Sequence, residues 1–237
     1  MAQSFFIWKN VDCRTMGCIL DGAAPIIRPE ERVEHITIPG RSGDLTQLEG
    51  ENIYNSYIQT LTIKARGAAR IREIYRWLRG AGYVTFSGEP DKKQPARIIG
   101  AVTLGRHSVN GDWWEGEVQM YCQPLKEKIR AQKVTISTSG DKVINEGDVM
   151  SRPLWKITAS DTSATLAAGG KSITVTGLTA ANVYYIDSDA EEVYNADRSA
   201  ILTANSTGAF PTLEPGANTV TGSGWSAVEI DRRERFL

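Results

Sequence analysis

The sequence predicts a mainly β protein made of an N-terminal α+β domain followed by a C-terminal β-sandwich. Short apolar segments separated by Gly, Pro, Asn and Asp recur along the chain, which is typical of strands joined by tight turns. A single helical period interrupts them near residue 70. Beyond residue 125 the segments become rich in Thr, Ser, Ala and Gly. We therefore predict domains at 1–130 and 131–237, with the boundary between 125 and 133.

The N-terminal domain is predicted to contain short strands, several of them rich in β-branched or aromatic residues. In order, they cover residues 5–8, 18–20, 32–38, 57–65, 83–86, 97–104 and 113–121. The last two are joined by a turn-rich loop at 110–112 and form a long hairpin. Pro25 and Pro29 favour an extended segment at a sheet edge between them, and a turn is expected at 41–44.

One amphipathic helix is expected after the strand 57–65. Ile71, Ile74, Tyr75 and Leu78 have the spacing i, i+3, i+4 and i+7, which places them on one stripe. Arginines occupy much of the remaining surface, and Gly80 follows at the position favoured for a helix-terminating glycine. The stripe is expected to face the core, and the arginines to face water or a partner.

The C-terminal domain is predicted as a sandwich because its segments are short and alternating and show no helical period. Candidate strands cover residues 133–137, 154–158, 172–175, 183–187 and 227–232. Trp155 falls on the alternating pattern of its strand and is expected in the core.

Composition excludes several classes of protein. With 27 Lys and Arg against 28 Asp and Glu, the chain lacks the cationic excess that drives phosphate-backbone binding, so no nucleic-acid specificity is expected. Hydrophobic residues at 41% and charged residues at 23% are usual for a globular chain. No apolar run approaches the roughly 18 residues needed to cross a bilayer, so no membrane insertion is expected. The apolar cluster 5–8 is too short for a signal-peptide core.

The cysteines and histidines do not form a recognisable site. Cys13, Cys18 and Cys122 are odd in number, and with His35 and His107 they show no zinc-ligand spacing. Free and mostly buried thiols are the simplest interpretation. We expect no metal and no cofactor.

No catalytic residue is predicted either. The acidic run 187–192 lacks the glycine and glutamate of a calcium-binding EF-hand loop, so it is expected to be a solvated turn. The glycine-rich segments 40–43 and 80–82 match neither a phosphate-binding loop nor a dinucleotide fingerprint. A hydrolase with an acidic site at Asp187 and Asp189 is an alternative interpretation of this segment.

The order of several segments resembles one family over nearly the whole chain, although each segment alone is a turn-rich β pattern. The segments are FIWKN at 6–10, GCIL at 17–20, IPGRSG at 38–43, IREIYRWL at 71–78, NEG at 145–147, SRPLWKIT at 151–158, YIDS at 185–188, GAFPTLEPGANT at 208–219 and RRERFL at 232–237. Together they resemble the distal tail protein (Dit) family of phages with long, non-contractile tails.

The resemblance implies a structural virion protein and not an enzyme. It implies an N-terminal domain, a sandwich or barrel with one helix and a long hairpin, that assembles as a ring, commonly a hexamer, at the tail tip. The C-terminal domain is then a β-sandwich like that of galectins and carbohydrate-binding modules. Implied partners are the tail tube protein, the tape measure protein, the tail-associated lysin or baseplate hub, and receptor-binding proteins used in host adsorption. The protein is then made in the host cytoplasm and located in the virion baseplate.

Interface residues are predicted where strands and turns offer edges and aromatic surface. The hairpin 97–121 and the segment 32–44 are the candidates, with Arg32, Arg41, Trp113 and Trp114 as contact residues. Trp225 lies in a Gly/Ser-rich turn, where an exposed ring can contact a glycan. A glycan-binding module without a tail role is the alternative function.

Overall fold

A computed structural model describes residues 4–48, 50, 52–107, 112–130 and 133–237. The chain divides into two compact units. The N-terminal unit ends at Ile129 and also includes Leu237, and the C-terminal unit runs from Arg130 to Phe236. The predicted boundary at 130/131 and the predicted loop at 110–112 fall largely on residues outside the described ranges.

The N-terminal unit contains ten strands and one helix within the described ranges. They are β1 Phe6–Trp8, β2 Val11–Asp12, β3 Cys18–Leu20, β4 Val33–Thr37, β5 Asp44–Leu48, β6 Tyr57–Arg66, α1 Ala68–Trp77, β7 Ala81–Phe86, β8 Lys92–Arg106, β9 Trp113–Cys122 and β10 Lys126–Lys128.

Most of these strands form one antiparallel sheet in the order β2-β1-β7-β8-β9-β6-β3, with β10 pairing β8. Side chains alternate along β6, where Leu61 and Ile63 are buried and Thr60 is exposed. The buried face packs with α1 into a core that includes Trp8, Ile74 and Met120. The sheet therefore has one face covered by the helix, as the predicted α+β domain requires.

Helix α1 buries Ile71, Ile74 and Leu78, which confirms three of the four residues of the predicted stripe. Tyr75 differs, because its ring is 39% exposed. Its hydroxyl accepts a hydrogen bond from the backbone N–H of Leu104 at 3.1 Å, so the polar tip is held beside the sheet edge while the ring faces outward. The helix ends at Trp77, and Gly80 has the left-handed φ of +72° expected of a terminating glycine.

Strands β4 and β5 form a two-stranded sheet of their own. Their register pairs Val33 with Leu48 and Thr37 with Asp44. We call this hairpin, residues 33–48, the arm.

The C-terminal unit contains twelve strands and one short 3-10 helix, at Thr203–Asn205, within the described ranges. The strands are β11 Lys133–Ile136, β12 Lys142–Asn145, β13 Leu154–Ala159, β14 Ser163–Ala168, β15 Lys171–Thr176, β16 Val183–Asp187, β17 Glu192–Asn195, β18 Ser206–Gly208, β19 Gly216–Thr219, β20 Thr221–Ser223, β21 Trp225–Asp231 and β22 Arg235–Phe236.

Two sheets of this unit share one core. One sheet has the order β11-β21-β13-β16-β17 and the other the order β18-β15-β14-β20. Trp155 and Ile186 from the first sheet and Leu166 and Ile173 from the second belong to the same buried cluster. The predicted β-sandwich and the core position of Trp155 are confirmed.

Two local expectations differ from the structure. The segment between Pro25 and Pro29 is irregular and forms no strand. Strand β5 was not expected beyond the turn at 41–44, and all five of its residues are exposed. A strand without a buried face has no burial alternation for a sequence pattern to detect.

Candidate oligomer interface

The arm exposes apolar side chains on a two-stranded sheet that pairs with no other strand in the described part of the chain. Leu45 is 44% exposed, Leu48 is 59% exposed, and Ile38 at the end of β4 is 37% exposed. An isolated two-stranded hairpin is marginally stable in water, and grouped exposed apolar side chains commonly mark interaction sites. The arm therefore has the properties of a surface that a partner covers.

The two predicted arginines lie at opposite ends of the arm. Arg32 lies at its base, where its backbone N–H donates to the carbonyl of Ile53 at 2.9 Å and its Nε donates to Oδ1 of Asn55 at 3.2 Å. Arg41 is exposed in the turn at the tip, between Gly40 and Gly43, which have φ values of +81° and +80°. Glycines suit this tight tip because other residues rarely adopt that backbone conformation.

The two predicted tryptophans do not share one environment. Trp113 begins β9 and is 41% exposed, whereas Trp114 packs against the core cluster. Their side chains fall on opposite faces because neighbouring residues alternate along a strand. Only Trp113 is thus available to a partner over much of its ring.

A small cavity of about 170 Å³ lies beside Trp113, lined also by Lys64, His107, Trp114 and Glu115. The Glu115 carboxylate lies 3.5 Å from Nδ1 of His107 and 3.9 Å from Nζ of Lys64. Small-molecule sites usually enclose roughly 300–1,000 Å³, so this cavity suits one side chain of a partner better than a free ligand.

The uncovered face of the large sheet carries a further apolar row that the sequence analysis missed. Ile58 on β6 pairs with Tyr121 on β9, and these side chains are 53% and 42% exposed. Tyr83 on β7 is also 42% exposed, and Nζ of Lys93 lies 4.5 Å from its ring centroid. The alternation along β6 could have identified this row, because Ile58 falls at a position where the other side chains are polar and point away from the core.

Trp225 is not exposed, which corrects the expectation for the turn around it. Its side chain is 8% exposed, and Nε1 donates to the carbonyl of Thr165 at 3.1 Å. The neighbouring glycines mark close strand approach, since a Cβ on Gly222 would lie 2.0 Å from that same carbonyl oxygen. The prediction that Trp225 contacts a glycan rested on an exposed ring, and the ring is buried.

Asp187 is held as a structural carboxylate. It is 8% exposed, and its two oxygens accept hydrogen bonds from Nη1 and Nη2 of Arg233 at 2.7 and 2.9 Å. It also accepts the backbone N–H groups of Asp189 and Ala190. Burial raises its pKa, but these donors outweigh burial and the pKa lies below its usual value. The expected solvated turn is therefore correct for exposed Asp189 and wrong for Asp187.

The three cysteines are free and buried, as expected. Burial raises the pKa of the Cys18 and Cys122 thiols to about 12, so neither has the thiolate character of a reactive cysteine. Within the described ranges, no cluster of three or more His, Cys, Asp or Glu side chains could hold a metal ion. No helix in the same ranges is long and apolar enough to cross a membrane.

Comparison with known proteins identifies the fold. No family model matches the sequence, and no curated protein matches it. Among solved structures, the chain is similar to the Dit protein of phage SPP1, described as a paradigm of the hub adsorption apparatus in phages that infect Gram-positive bacteria. The TM-score is 0.80 with 17% sequence identity, and the match covers 100% of both chains. The resemblance found in the sequence is thus confirmed at the level of the fold: from end to end, this chain has the fold of a phage distal tail protein.

Proposed function

We propose that this protein is the structural hub at the tip of a phage tail, and that its N-terminal units assemble as a hexameric ring. The end-to-end similarity to SPP1 Dit carries this proposal, because both units match and not the sandwich alone. The exposed apolar arm gives it independent physical support, because such a hairpin is suited to contact a neighbouring copy.

A ring explains why the exposed features lie on separate surfaces. Head-to-tail closure joins two different patches on each subunit, so the donor and acceptor surfaces need not be self-complementary. The arm is suited to be one of them, and the uncovered face of the large sheet, which carries Trp113, Ile58 and Tyr121, to be another contact surface. A net charge of −1 limits repulsion when six copies pack together.

The proposed location is the virion tail tip, after synthesis in the host cytoplasm. The hub connects the tail tube and tape measure proteins to the tail-associated lysin or baseplate, and it supports receptor-binding proteins. The role is structural, not catalytic. The low pKa and the Arg233 ion pair of Asp187 suit a fixed anion better than a general acid, which needs a raised pKa.

Self-association of the purified chain tests the proposal. We expect closed rings by negative-stain imaging and a ring mass by native mass spectrometry. The double variant Leu45→Ser/Leu48→Ser should raise the protein concentration needed for half assembly at least about tenfold, because it removes apolar area from the contact. A tenfold change corresponds to about 1.4 kcal/mol of association free energy.

The matched control is Ile144→Ser/Ile201→Ser, which removes two side chains that are 57% and 63% exposed in the C-terminal unit. This control should assemble like the unchanged chain. A monomer at every concentration would overturn self-assembly, and a monomer with measurable sugar affinity would favour the glycan-binding alternative.

A further inference from the structure

The outward face of α1 is unusually basic. Arg72 and Arg76 are spaced i, i+4, away from the buried Ile71 and Ile74, and Arg79 follows the helix. All three arginines are exposed, and none forms an ion pair within the described part of the chain. Like charges at this spacing destabilise a helix slightly, so local stability does not explain them.

The local sequence strengthens this asymmetry. Residues 66–79 contain five arginines and one glutamate, a net charge of +4. Residues 30–48, the arm and its approach, contain four carboxylates and two arginines, a net charge of −2. Two surfaces of opposite sign thus lie in the same unit, and no ion pair joins them within one chain among the described residues.

Both surfaces also carry apolar side chains beside their charged residues. Glu34 and Ile36 lie on one face of β4, and Leu45 is the register partner of Ile36, so this arm face combines a carboxylate with apolar side chains. On α1, Tyr75 follows Arg72 by three positions, so its half-exposed ring lies next to that arginine on the helix surface. Each surface offers charge of one sign beside apolar area.

We infer that the arginine face of α1 is the acceptor for the arm of the next copy. This rests on the proposed ring, in which one copy's Glu34, on the arm face that also carries Ile36 and Leu45, faces the next copy's Arg72 and Arg76. Exposed ion pairs contribute little in water, but charge pairs in a formed interface set register and partner choice. The arm should then dock in one orientation, with its apolar side chains against Tyr75.

Charge reversal tests the inference by sedimentation velocity on the full chain. Arg72→Glu/Arg76→Glu should raise the concentration for half assembly at least about tenfold, and Glu34→Arg should raise it severalfold. The chain that carries Glu34→Arg, Arg72→Glu and Arg76→Glu together should return to within about threefold of the original, because the facing charges change sign on both partners. Raising the salt from 0.15 M to 1 M should weaken assembly of the original chain.

The control is Lys142→Glu/Lys171→Glu, which changes the net charge by the same amount at exposed lysines of the C-terminal unit. If the α1 reversal assembles like this control, the acceptor surface is wrong while the ring proposal stands. If each reversal weakens assembly and the combination does not restore it, the pairing is wrong. If the unchanged chain does not associate, both proposals fail.

Folding of each variant is checked by circular dichroism. Should the glutamate variant of α1 fail to fold, Arg72→Gln/Arg76→Gln removes the charges with less perturbation. That variant should still raise the half-assembly concentration severalfold, and an unchanged value would equally overturn the inference.

Discussion

The two units differ in where they place their large hydrophobic side chains. Among the described residues, two large hydrophobic side chains are exposed in the C-terminal unit, Ile144 and Ile201, whereas eleven are exposed in the N-terminal unit. The sandwich encloses its apolar residues between two sheets, while the N-terminal unit leaves an arm and a sheet face uncovered. Grouped apolar surface commonly marks interaction sites, so the first unit is suited to assembly and the second to independent stability.

The buried hydrogen bonds of the sandwich strengthen this contrast. Nε1 of Trp155 donates to the hydroxyl of Ser188 at 2.9 Å, and that hydroxyl donates to the carbonyl of Pro211 at 2.6 Å. Buried polar networks that are satisfied internally help to specify one packed structure. The polar groups of Trp155 and Ser188 thus find their partners within the sandwich itself.

The largest loss of stability is expected for a core residue of the sandwich. Trp155→Ala removes a fully buried ring and the donor to Ser188, so we expect a loss of about 3–5 kcal/mol in the free energy of unfolding. Urea denaturation followed by circular dichroism measures this loss. Trp155→Phe should cost less, because it retains most of the buried volume.

Assembly provides the second measurement on Trp155→Ala, under conditions in which the chain remains folded. The ring contacts are proposed to lie in the N-terminal unit, so the half-assembly concentration should stay within about threefold of the original. A large loss of assembly with little loss of stability would reverse the roles assigned to the two units.

The sequence predicted the sandwich and the main sheet because both have buried faces. In β6 and β13 every second residue is buried, and that alternation is visible in the residues themselves. Strand β5 lacks it, since all five residues are exposed. This unpredicted strand lies in the arm, for which we propose a partner in another copy and not a core in the same chain.

Two individual residues owe their burial to partners that are distant in the sequence. The burial of Trp225 depends on a carbonyl of Thr165, sixty positions away, while its neighbours are typical of a turn. Asp187 depends on Arg233, forty-six positions away, while its neighbours are typical of a solvated acidic run. Local composition predicts local backbone, but partners distant in sequence decide which side chains are buried.

An intermediate effect is expected for the ion pair of the sandwich. Asp187→Asn keeps an oxygen for the backbone donors but removes the charge that faces Arg233, so we expect a loss of about 2 kcal/mol at pH 7. The pKa of Asp187 is lowered in the folded protein, so its contribution is present above the unfolded value, near 4, and is lost as the pH falls through the folded value.

The difference in stability between Asp187→Asn and the original chain should therefore shrink as the pH falls below about 4. Denaturation series at pH 7, 4 and 2.5 measure this. Glu191→Gln is the matched control, because this exposed carboxylate lies 3.9 Å from Arg152 and should contribute less than about 0.5 kcal/mol. If the stability difference between Asp187→Asn and the original chain does not change with pH, the role assigned to the charge of Asp187 is wrong.

The smallest expected change in stability is at Trp113. Trp113→Ala should change the free energy of unfolding by less than about 1 kcal/mol, because the ring is 41% exposed. Trp114→Ala should cost about 2 kcal/mol or more, because that ring packs against the core.

If Trp113 is a contact residue, its loss should weaken ring formation more than its effect on stability explains. Native mass spectrometry of both variants, under conditions in which both remain folded, measures this. Unchanged ring formation by Trp113→Ala would remove the β8–β9 hairpin from the interface and leave the arm as the principal contact surface.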